Sequence, residues 1–457
     1  MATPSEITIP AQSWPNSSEA SKDGLTFAPR GEQVDETTID SDVSGYDAEL
    51  MQARSLLTTE EERKLMRRVD LRIMTICSLL FLMKNIDADN ISNARIMNKG
   101  TPRNIMTQLN MTSDEYNLLN VLYYLIAEVP YIVLEAPSNL LLKRLRPSAW
   151  QSRIMISWGI ALLCHVPVTN KGGIYATRFL LGVVLKACQG GNVPPTAKWL
   201  TEKEKAFIQA RLPSNAPRAE EMNFNFSEIV DSLKDCRLWL FTLIWATFTV
   251  GTSGVRFYQP TVIANLGFTT IARAQLLNLP ISLLAIFVIG ITGFFADKGL
   301  IPRPLYPLGV FAVILACYGV MVAYPSNGAV YVATLIGNAF TASFFPLMWP
   351  WRVQTTSRAT GSAFSIGFVN SYGQIGGAIG PQIFRSKYAP RYQTSFAAAM
   401  ALVGCCTITT LITWWVTRKS ESDTRRLKRA RVRAEREGLA VLDDVVDRDL
   451  NNKRSDD

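Results

Sequence analysis

Two carboxylates lie inside one apolar stretch of this chain, where a charged group is costly and is often functional. Glu128 and Glu135 are seven residues apart within the stretch 117–142, so a helix places them on the same face. Burial disfavours the charged form of a carboxyl, which lets it hold a proton until a cation or substrate arrives. Glu135 can instead cap the end of the stretch beside Pro137. The spacing makes both residues candidates for proton coupling, with capping as the alternative for Glu135.

A third carboxylate, Asp87, ends the apolar stretch 71–87. Lys84 is three residues earlier, so the two side chains can form a charge pair on one helix face. Alternatively, Asp87 contacts a substrate or couples its movement, with the side-chain amides of Asn90 and Asn93 as neighbouring donors. The sequence is compatible with both interpretations.

Candidate donors also lie in the later apolar stretches. Arg178 is the obvious cation for a substrate carboxylate, because a guanidinium group binds a carboxylate through two parallel hydrogen bonds. The alternative is an arginine that extends from a helix start to the membrane surface. The other candidate donors are Tyr258, Trp349, Asn370 and Gln374. For each of these, packing or a hydrogen bond between helices is the alternative role.

About ten apolar stretches carry these residues. Each is close to the roughly 20 residues that a helix needs to cross the hydrocarbon core of a bilayer. A helix also satisfies the hydrogen-bonding groups of its own backbone within the bilayer, whereas an open strand does not. The sequence therefore predicts an all-α, polytopic membrane protein. The predicted spans are 71–87, 117–142, 151–169, 173–190, 238–258, 275–296, 305–324, 328–348, 361–380 and 394–417.

The rest of the composition excludes several chemistries. His165 is the single histidine, so a multi-histidine metal site is excluded. The seven cysteines contain no CxxC pair and mostly lie in spans, which indicates small packing residues. No GxxxxGK[ST] phosphate loop is present. We therefore expect no enzyme activity, no cofactor and no metal, and any transport across the membrane would depend on a gradient.

Basic residues indicate the orientation of the chain. They are concentrated in alternate connections and in the last segment, around 64–72, 143–153, 298–303, 352–358 and 418–436. Cytoplasmic connections are enriched in Lys and Arg, so both termini are predicted to be cytoplasmic. The net charge of +9 is explained by membrane contact and predicts no nucleic-acid partner. Asn110 begins a glycosylation sequon on the predicted outside.

The same pattern divides the chain into five parts. Residues 1–60 and 418–457 lack apolar periodicity and are predicted to be cytoplasmic tails, the first disordered and the second charged. Residues 61–190 contain four spans, 191–237 form a cytoplasmic loop with short helices, and 238–417 contain six spans.

Several motifs resemble the fungal allantoate permease family, the anion:cation symporters of the major facilitator superfamily. The motifs are NISNA at 90–94, EAPSNLLLKR at 135–144, RFLLG at 178–182, AKWLT at 197–201, PTVI at 260–263 and GGAIGPQIF at 376–384. The resemblance covers roughly residues 60–420, and the string at 135–144 is its most specific part. It implies proton-coupled uptake of a small organic anion such as allantoate, nicotinate, a vitamin or another carboxylate. It also implies the plasma membrane as the location, and we expect a monomer.

The chain departs from the family in the first half. The family has twelve spans in two bundles of six, whereas this sequence passes from Lys186 almost directly to Pro194, which resembles the far end of the central loop. Spans five and six are thus predicted to be absent, on the order of 70 residues. The family's usual arginine after Asp87 is Ala88 here. The alternative function is therefore a non-transporting membrane protein, either a truncated or mis-spliced product or a receptor-like one.

Overall fold

The structure is a computed structural model. It describes residues 27–31, 53–98, 100–122, 156–186, 199–211, 226–265, 276–277, 279–354, 359–389 and 391–441. Within these residues the chain is helical apart from connections and one sheet of two short strands.

The first half contains one strand and six α-helices among the described residues. They are β1 (Phe27–Pro29), α1 (Thr59–Val69), α2 (Thr75–Ile96), α3 (Ile105–Gln108), α4 (Ser113–Val121), α5 (156–163) and α6 (Lys171–Lys186). A π-helical turn over Asp70–Met74 joins α1 to α2. Capping boxes begin α1 at Thr58 and α4 at Thr112, because each threonine is followed three residues later by a glutamate.

The second half contains nine further helices and the second strand. They are α7 (Glu202–Arg211), α8 (Phe226–Lys234), α9 (Cys236–Asn265), α10 (Leu279–Asp297), α11 (Leu305–Ala323), α12 (Asn327–Ala342), α13 (Phe344–Gln354), α14 (Ala359–Ile383), α15 (Gln393–Arg436) and β2 (Leu439–Val441).

Five helical segments of the described chain are long and apolar enough to cross a membrane: Cys236–Ile263, Leu279–Asp297, Leu305–Ala323, Asn327–Val353 and Gln393–Arg436. They coincide with five spans predicted for the second half, and the all-α membrane fold is confirmed. The boundaries differ in places. The helix of the first span continues to Ile96 instead of ending near Asp87, and α9 continues past Tyr258 to Asn265. Of the span predicted at 117–142, only the residues up to 122 are described.

The outward faces of these helices are apolar. Leu283, Ile286, Phe287 and Ile291 of α10 each expose more than half of their surface. A soluble protein rarely exposes such a large apolar surface, whereas lipid covers one in a membrane protein. The exposure of α10 therefore agrees with a lipid-facing helix.

Threonine hydroxyls inside the long helices are satisfied by their own backbone. In α15, six hydroxyls donate to the carbonyl four residues earlier, at 2.7–2.8 Å. Five lie within the apolar part of the helix, at Thr407, Thr409, Thr410, Thr413 and Thr417, and the sixth is that of Thr424. This bond removes the cost of a polar group in an apolar medium.

Helices α9 and α14 pack with their backbones close together. A Cβ on Gly376 would lie 2.1 Å from Thr249 Oγ1, and one on Gly254 would lie 2.4 Å from the Gly380 carbonyl oxygen. Only glycine permits so close an approach of the two helix backbones.

An aromatic core lies beside this helix pair. The rings of Phe248 and Phe344 are stacked with centroids 3.7 Å apart, and Trp245 packs edge-on against Phe344 at 5.2 Å. All three side chains are buried. These contacts hold α9 against α13.

The chain divides into two compact units: residues 1–71, 198–214 and 426–457 form one, and residues 72–197 and 215–425 form the other. In the first unit, β1 and β2 pair antiparallel, with Phe27 opposite Val441. Glu62 accepts from Arg211 at 2.9 Å and also pairs with Arg30. Parts of both predicted tails and of the predicted central loop thus belong to one folded unit. The five-part domain division itself stays a prediction.

Candidate functional site

A cluster of buried polar side chains lies within the second unit, where α2, α4, α6 and α9 supply one or two residues each. Its members are Arg95, Tyr116, Asn117, Arg178 and Tyr258. Both arginines expose only 8% of their surface, and the other three residues expose 1% or less. Two of the five, Arg178 and Tyr258, are candidates from the sequence.

Arg95 lies at the last turn of α2, which Asn104 holds in place by donating to the carbonyl oxygens of Arg95 and Met97 at 3.1 and 2.8 Å. Its guanidinium carbon lies 4.5 Å from the centre of the Tyr258 ring, which is a cation–π contact. Its Nη2 donates to the hydroxyl of Ser113. Within the described part of the chain, no carboxylate lies within 4.0 Å of this guanidinium, and Nη1 has no hydrogen-bond acceptor.

Tyr258 connects α9 to α4. Its hydroxyl donates to Asn117 Oδ1 at 3.0 Å, and its ring stacks on Phe384 with centroids 5.1 Å apart. Tyr392 contacts the same ring at 5.5 Å. Asn117 Nδ2 is buried and, among the described residues, has no acceptor. The position of Tyr258 is therefore fixed by aromatic contacts, while its polar end faces the first half of the chain.

Tyr116 connects α4 to α2 because its hydroxyl donates to the Ile91 carbonyl oxygen at 2.7 Å. The positive charges of Arg95 and Arg178 both act on this hydroxyl. Two buried positive charges close to one point repel each other, so a negative charge brought between them would be stabilised. The cluster is therefore a candidate anion site.

The rim of the cluster contains a charged pair. Glu115 accepts backbone hydrogen bonds in the capping box of α4 and receives a second bond from Lys171 at 2.9 Å. The Thr112 N–H, and after it Lys171, lowers the pKa of Glu115 below its ordinary value. This exposed pair joins the start of α4 to the start of α6.

A second cationic position lies in α13. Sequence analysis places Arg352 among the basic residues of a cytoplasmic connection, whereas the structure buries it within a helix at 1% exposure. Its guanidinium lies 5.1 Å from the Trp349 ring and contacts Ser365 Oγ at 3.4 Å. The sequence signal for burial is the pair Trp349 and Trp351, which continue the apolar pattern up to the arginine.

The remaining candidates lie elsewhere on the chain or outside the described side chains. Asn90 is exposed, and Asn93 and Asn370 are half-buried on α2 and α14. Asp87 lies in α2 and Gln374 in α14, where the structure describes the backbone alone. Glu128 and Glu135 lie outside the described residues. Asn110 is exposed in the connection before α4, with a left-handed φ of 51°.

Known proteins that resemble this chain include several fungal ones. The MFS-type transporter cnsO of Penicillium expansum is 23% identical, over 85% of this chain and 90% of its own length. The MFS transporter prlL of a fungal species is 27% identical, over 55% of this chain and 49% of its own length. The major facilitator-type transporter hxnP of Emericella nidulans is 21% identical, over 78% of this chain and 86% of its own length. No family model matches the chain.

These relatives are fungal transporters of the major facilitator type. The matches support the major facilitator superfamily and a role in transport through the membrane, and the names of the relatives indicate transport rather than catalysis. In a major facilitator fold, substrates are bound where the two halves of the chain meet. The cluster around Tyr258 meets this condition, because three of its four helices precede residue 190 and α9 follows residue 235.

The long matches include positions that this chain lacks. The match to cnsO extends over 479 aligned positions. It includes 85% of this 457-residue chain, which is about 388 residues. At the remaining positions, about 90 in number, the relative has a residue and this chain has a gap. The match to hxnP extends over 445 positions with about 356 residues of this chain, which leaves a similar difference. The shorter match to prlL extends over 255 positions with about 251 residues. The two long matches thus contain many such positions, whereas the match to prlL contains almost none.

Proposed function

We propose that this chain carries a small organic anion through the membrane by proton-coupled alternating access. The proposed substrates are of the allantoate, nicotinate, vitamin or carboxylate type. The observation that carries the proposal is the burial of Arg95 without a carboxylate within 4.0 Å among the described residues. Burying a guanidinium group is expensive unless a partner compensates its charge.

The contacts of Arg95 compensate that charge only in part. The guanidinium contacts the ring face of Tyr258 and the hydroxyl of Ser113. Both are weaker partners for a positive charge than a carboxylate. A substrate carboxylate would accept from Nη1, while Arg178 adds a second positive charge nearby. The chemistry of the cluster therefore favours a small anion over a neutral or cationic substrate.

A charge-matched pair of variants tests the anion site. Arg95→Gln removes the buried charge, and Arg103→Gln removes one from the exposed connection before α3. In a fungal strain that lacks anion permeases, we expect uptake of a radiolabelled carboxylate to fall at least tenfold in the first variant, because an ionic hydrogen bond contributes about 1.5–3 kcal/mol. The second variant should keep most of the uptake. Equal uptake by the two variants would exclude Arg95 from the substrate site.

The proposed coupling ion is the proton, with Glu128 as the first candidate for its carrier. Uptake should rise as the external pH falls, and Glu128→Gln should flatten this dependence because an amide cannot carry the proton. Glu202→Gln, at an exposed position of α7, serves as the control. A pH dependence that persists in an active Glu128→Gln variant would exclude this residue and direct attention to Glu135 or Asp87.

We place the protein in the plasma membrane with both termini in the cytoplasm, as its basic connections predict. Epitope tags at each terminus of the full chain, tested for antibody access in intact and permeabilised cells, measure this directly. Labelling of either terminus in intact cells would contradict the proposed orientation.

The second candidate function is a non-transporting membrane protein, and the aligned positions without a counterpart here favour it. About 90 positions of the match to cnsO have no residue here, a number comparable to the roughly 70 residues of two spans and their connections. Without spans five and six, the first bundle would expose faces that normally contact protein. A form with about 70 residues restored between Gly182 and Ala197 should then transport better than the present chain. Equal uptake by the two forms would show that the chain is complete as it stands.

A further inference from the structure

The two halves of the chain contact each other through a small set of helices. Among the described helices, the strongest contacts between the halves join α2 to α9 and α4 to α14. All four helices belong to the same compact unit. The contacting ends of α2 and α4 flank the connection around residues 97–112, which the topology prediction places outside.

Tyr258 of the second half makes two polar contacts at this place. Tyr258 receives the Arg95 guanidinium on its ring face at 4.5 Å and donates its hydroxyl to Asn117 at 3.0 Å. The bond from Tyr116 to the Ile91 carbonyl oxygen links α2 to α4, so both partners of Tyr258 move as one piece. We propose that Arg95, Asn117 and Tyr258 form a polar latch that holds the outer end of the two halves closed and opens in each transport cycle.

The chemistry of these contacts suits a closure that must open repeatedly. When the halves separate, water can replace each polar partner, so the hydroxyl, the amide and the guanidinium stay satisfied. An apolar contact of equal area would expose its surface to water and resist opening. Apolar side chains also join the halves here, since Ile91 and Leu119 belong to the same buried core as Phe248 and Phe344, so the latch adds polar contacts to an apolar one.

The latch goes beyond the proposed anion transport, because it requires only the relative movement of the two halves. It also assigns Tyr258 a positioning role rather than direct contact with substrate. Opening of the latch can therefore be measured without substrate. A negative result there would contradict the latch and leave the proposal of anion transport unaffected.

A pair of hydroxyl deletions tests the latch. Tyr258→Phe keeps the ring and removes the bond to Asn117, whereas Tyr318→Phe removes an equally buried hydroxyl that has no hydrogen-bond partner among the described residues. Hydrogen–deuterium exchange of the purified full chain, followed by mass spectrometry of peptides that cover 105–122, measures the opening. We expect about fivefold faster exchange in Tyr258→Phe, which is the effect of one neutral hydrogen bond. Tyr318→Phe should exchange like the unaltered chain.

The partner on α4 provides the second measurement. Asn117→Ala alone and combined with Tyr258→Phe should accelerate exchange to the same extent, because both changes remove one bond. If Tyr258→Phe does not give a monodisperse protein, Ser113→Ala carries the same test, since it removes the hydroxyl that positions Arg95. Equal exchange in Tyr258→Phe and Tyr318→Phe, or additive effects in the double variant, would overturn the latch.

Discussion

Gly376 has no room for a side chain in its contact with α9, and Gly376→Ala is therefore a sensitive test of the helix packing. The added Cβ would lie 2.1 Å from Thr249 Oγ1, 2.4 Å from Thr249 Cβ and 2.5 Å from the Thr249 carbonyl carbon. The hydroxyl can rotate away, but the carbonyl carbon belongs to the helix backbone. Helices α9 and α14 must consequently move apart by roughly 1 Å to reach ordinary contact distance.

Such a movement disturbs the whole contact. Gly380 approaches the backbone of α9 at the next turn, where its Cβ would lie 2.7 Å from the Gly254 nitrogen. Overpacking of a tight contact typically costs about 1–3 kcal/mol. For a chain of this size that cost lowers the melting temperature by about 1–3 °C.

The matched control is Gly404→Ala in α15, where nothing lies within 4 Å of the added Cβ. Alanine favours a helix over glycine by about 1 kcal/mol, so this variant should be neutral or slightly stabilised. Both variants carry the same change in the same kind of helix, and they differ in the space around the new atom. Loss of the monodisperse fluorescence peak on heating a detergent-solubilised fusion measures the stability.

Thr249→Ala in the Gly376→Ala background provides a further check. It removes the hydroxyl contact but leaves the contacts to Cβ and the backbone, so it should restore only part of the lost stability. If Gly376→Ala melts at the same temperature as Gly404→Ala, the close approach of α9 and α14 is wrong.

Three more predictions concern other parts of the chain. Arg352→Ala should lower the free energy of unfolding by about 2–4 kcal/mol because it leaves a cavity. Arg352→Met should lower it by less, because methionine fills the space beside Trp349. Equal melting temperatures of the two variants would contradict this. The pKa of Glu115 is lower in the folded protein than its ordinary value of 4.5. The ionised side chain therefore stabilises the fold above pH 4.5, and this stabilisation is lost as the pH falls through the pKa of the folded protein. The melting temperature should thus fall more steeply below about pH 5 in the unaltered chain than in Glu115→Gln, and parallel curves would contradict it. Asn110→Gln should abolish an endoglycosidase-sensitive mobility shift in cells, and a chain that never shows the shift would oppose an outside location for this sequon.

The helices of the second half were predictable because their apolar stretches have the length of a bilayer span. Leu279–Asp297 and Leu305–Ala323 end within one residue of the predicted limits, where a glycine-, proline- or lysine-rich connection follows, although the first helix begins four residues later than predicted. The first span was predicted too short, because Asp87, Asn90 and Asn93 look like the end of an apolar stretch. The helix continues to Ile96, and its C-terminal turn is fixed by Asn104, nine residues after Arg95.

The candidate site was predictable in part. Arg178 and Tyr258 stand out as polar residues in apolar surroundings, and the structure brings both into one cluster. Arg95 looks like an ordinary basic residue of the outer connection, since its burial depends on the ring of Tyr258, far away in the sequence. Asn117 was missed for the same reason, because its partner is 141 residues away. Pairings of this kind depend on how helices pack, and the sequence pattern does not contain that information.

The threonines of α15 have a mechanical consequence. Each carbonyl that accepts a threonine hydroxyl shares its lone pairs between that hydroxyl and the backbone N–H, which weakens the helical bond and favours bending. Five such carbonyls occur between Val403 and Thr413, over about three turns of helix. The stretch is thus apolar toward lipid and compliant along its axis. A membrane helix that must follow the movement of its neighbours can flex here without breaking a single backbone hydrogen bond.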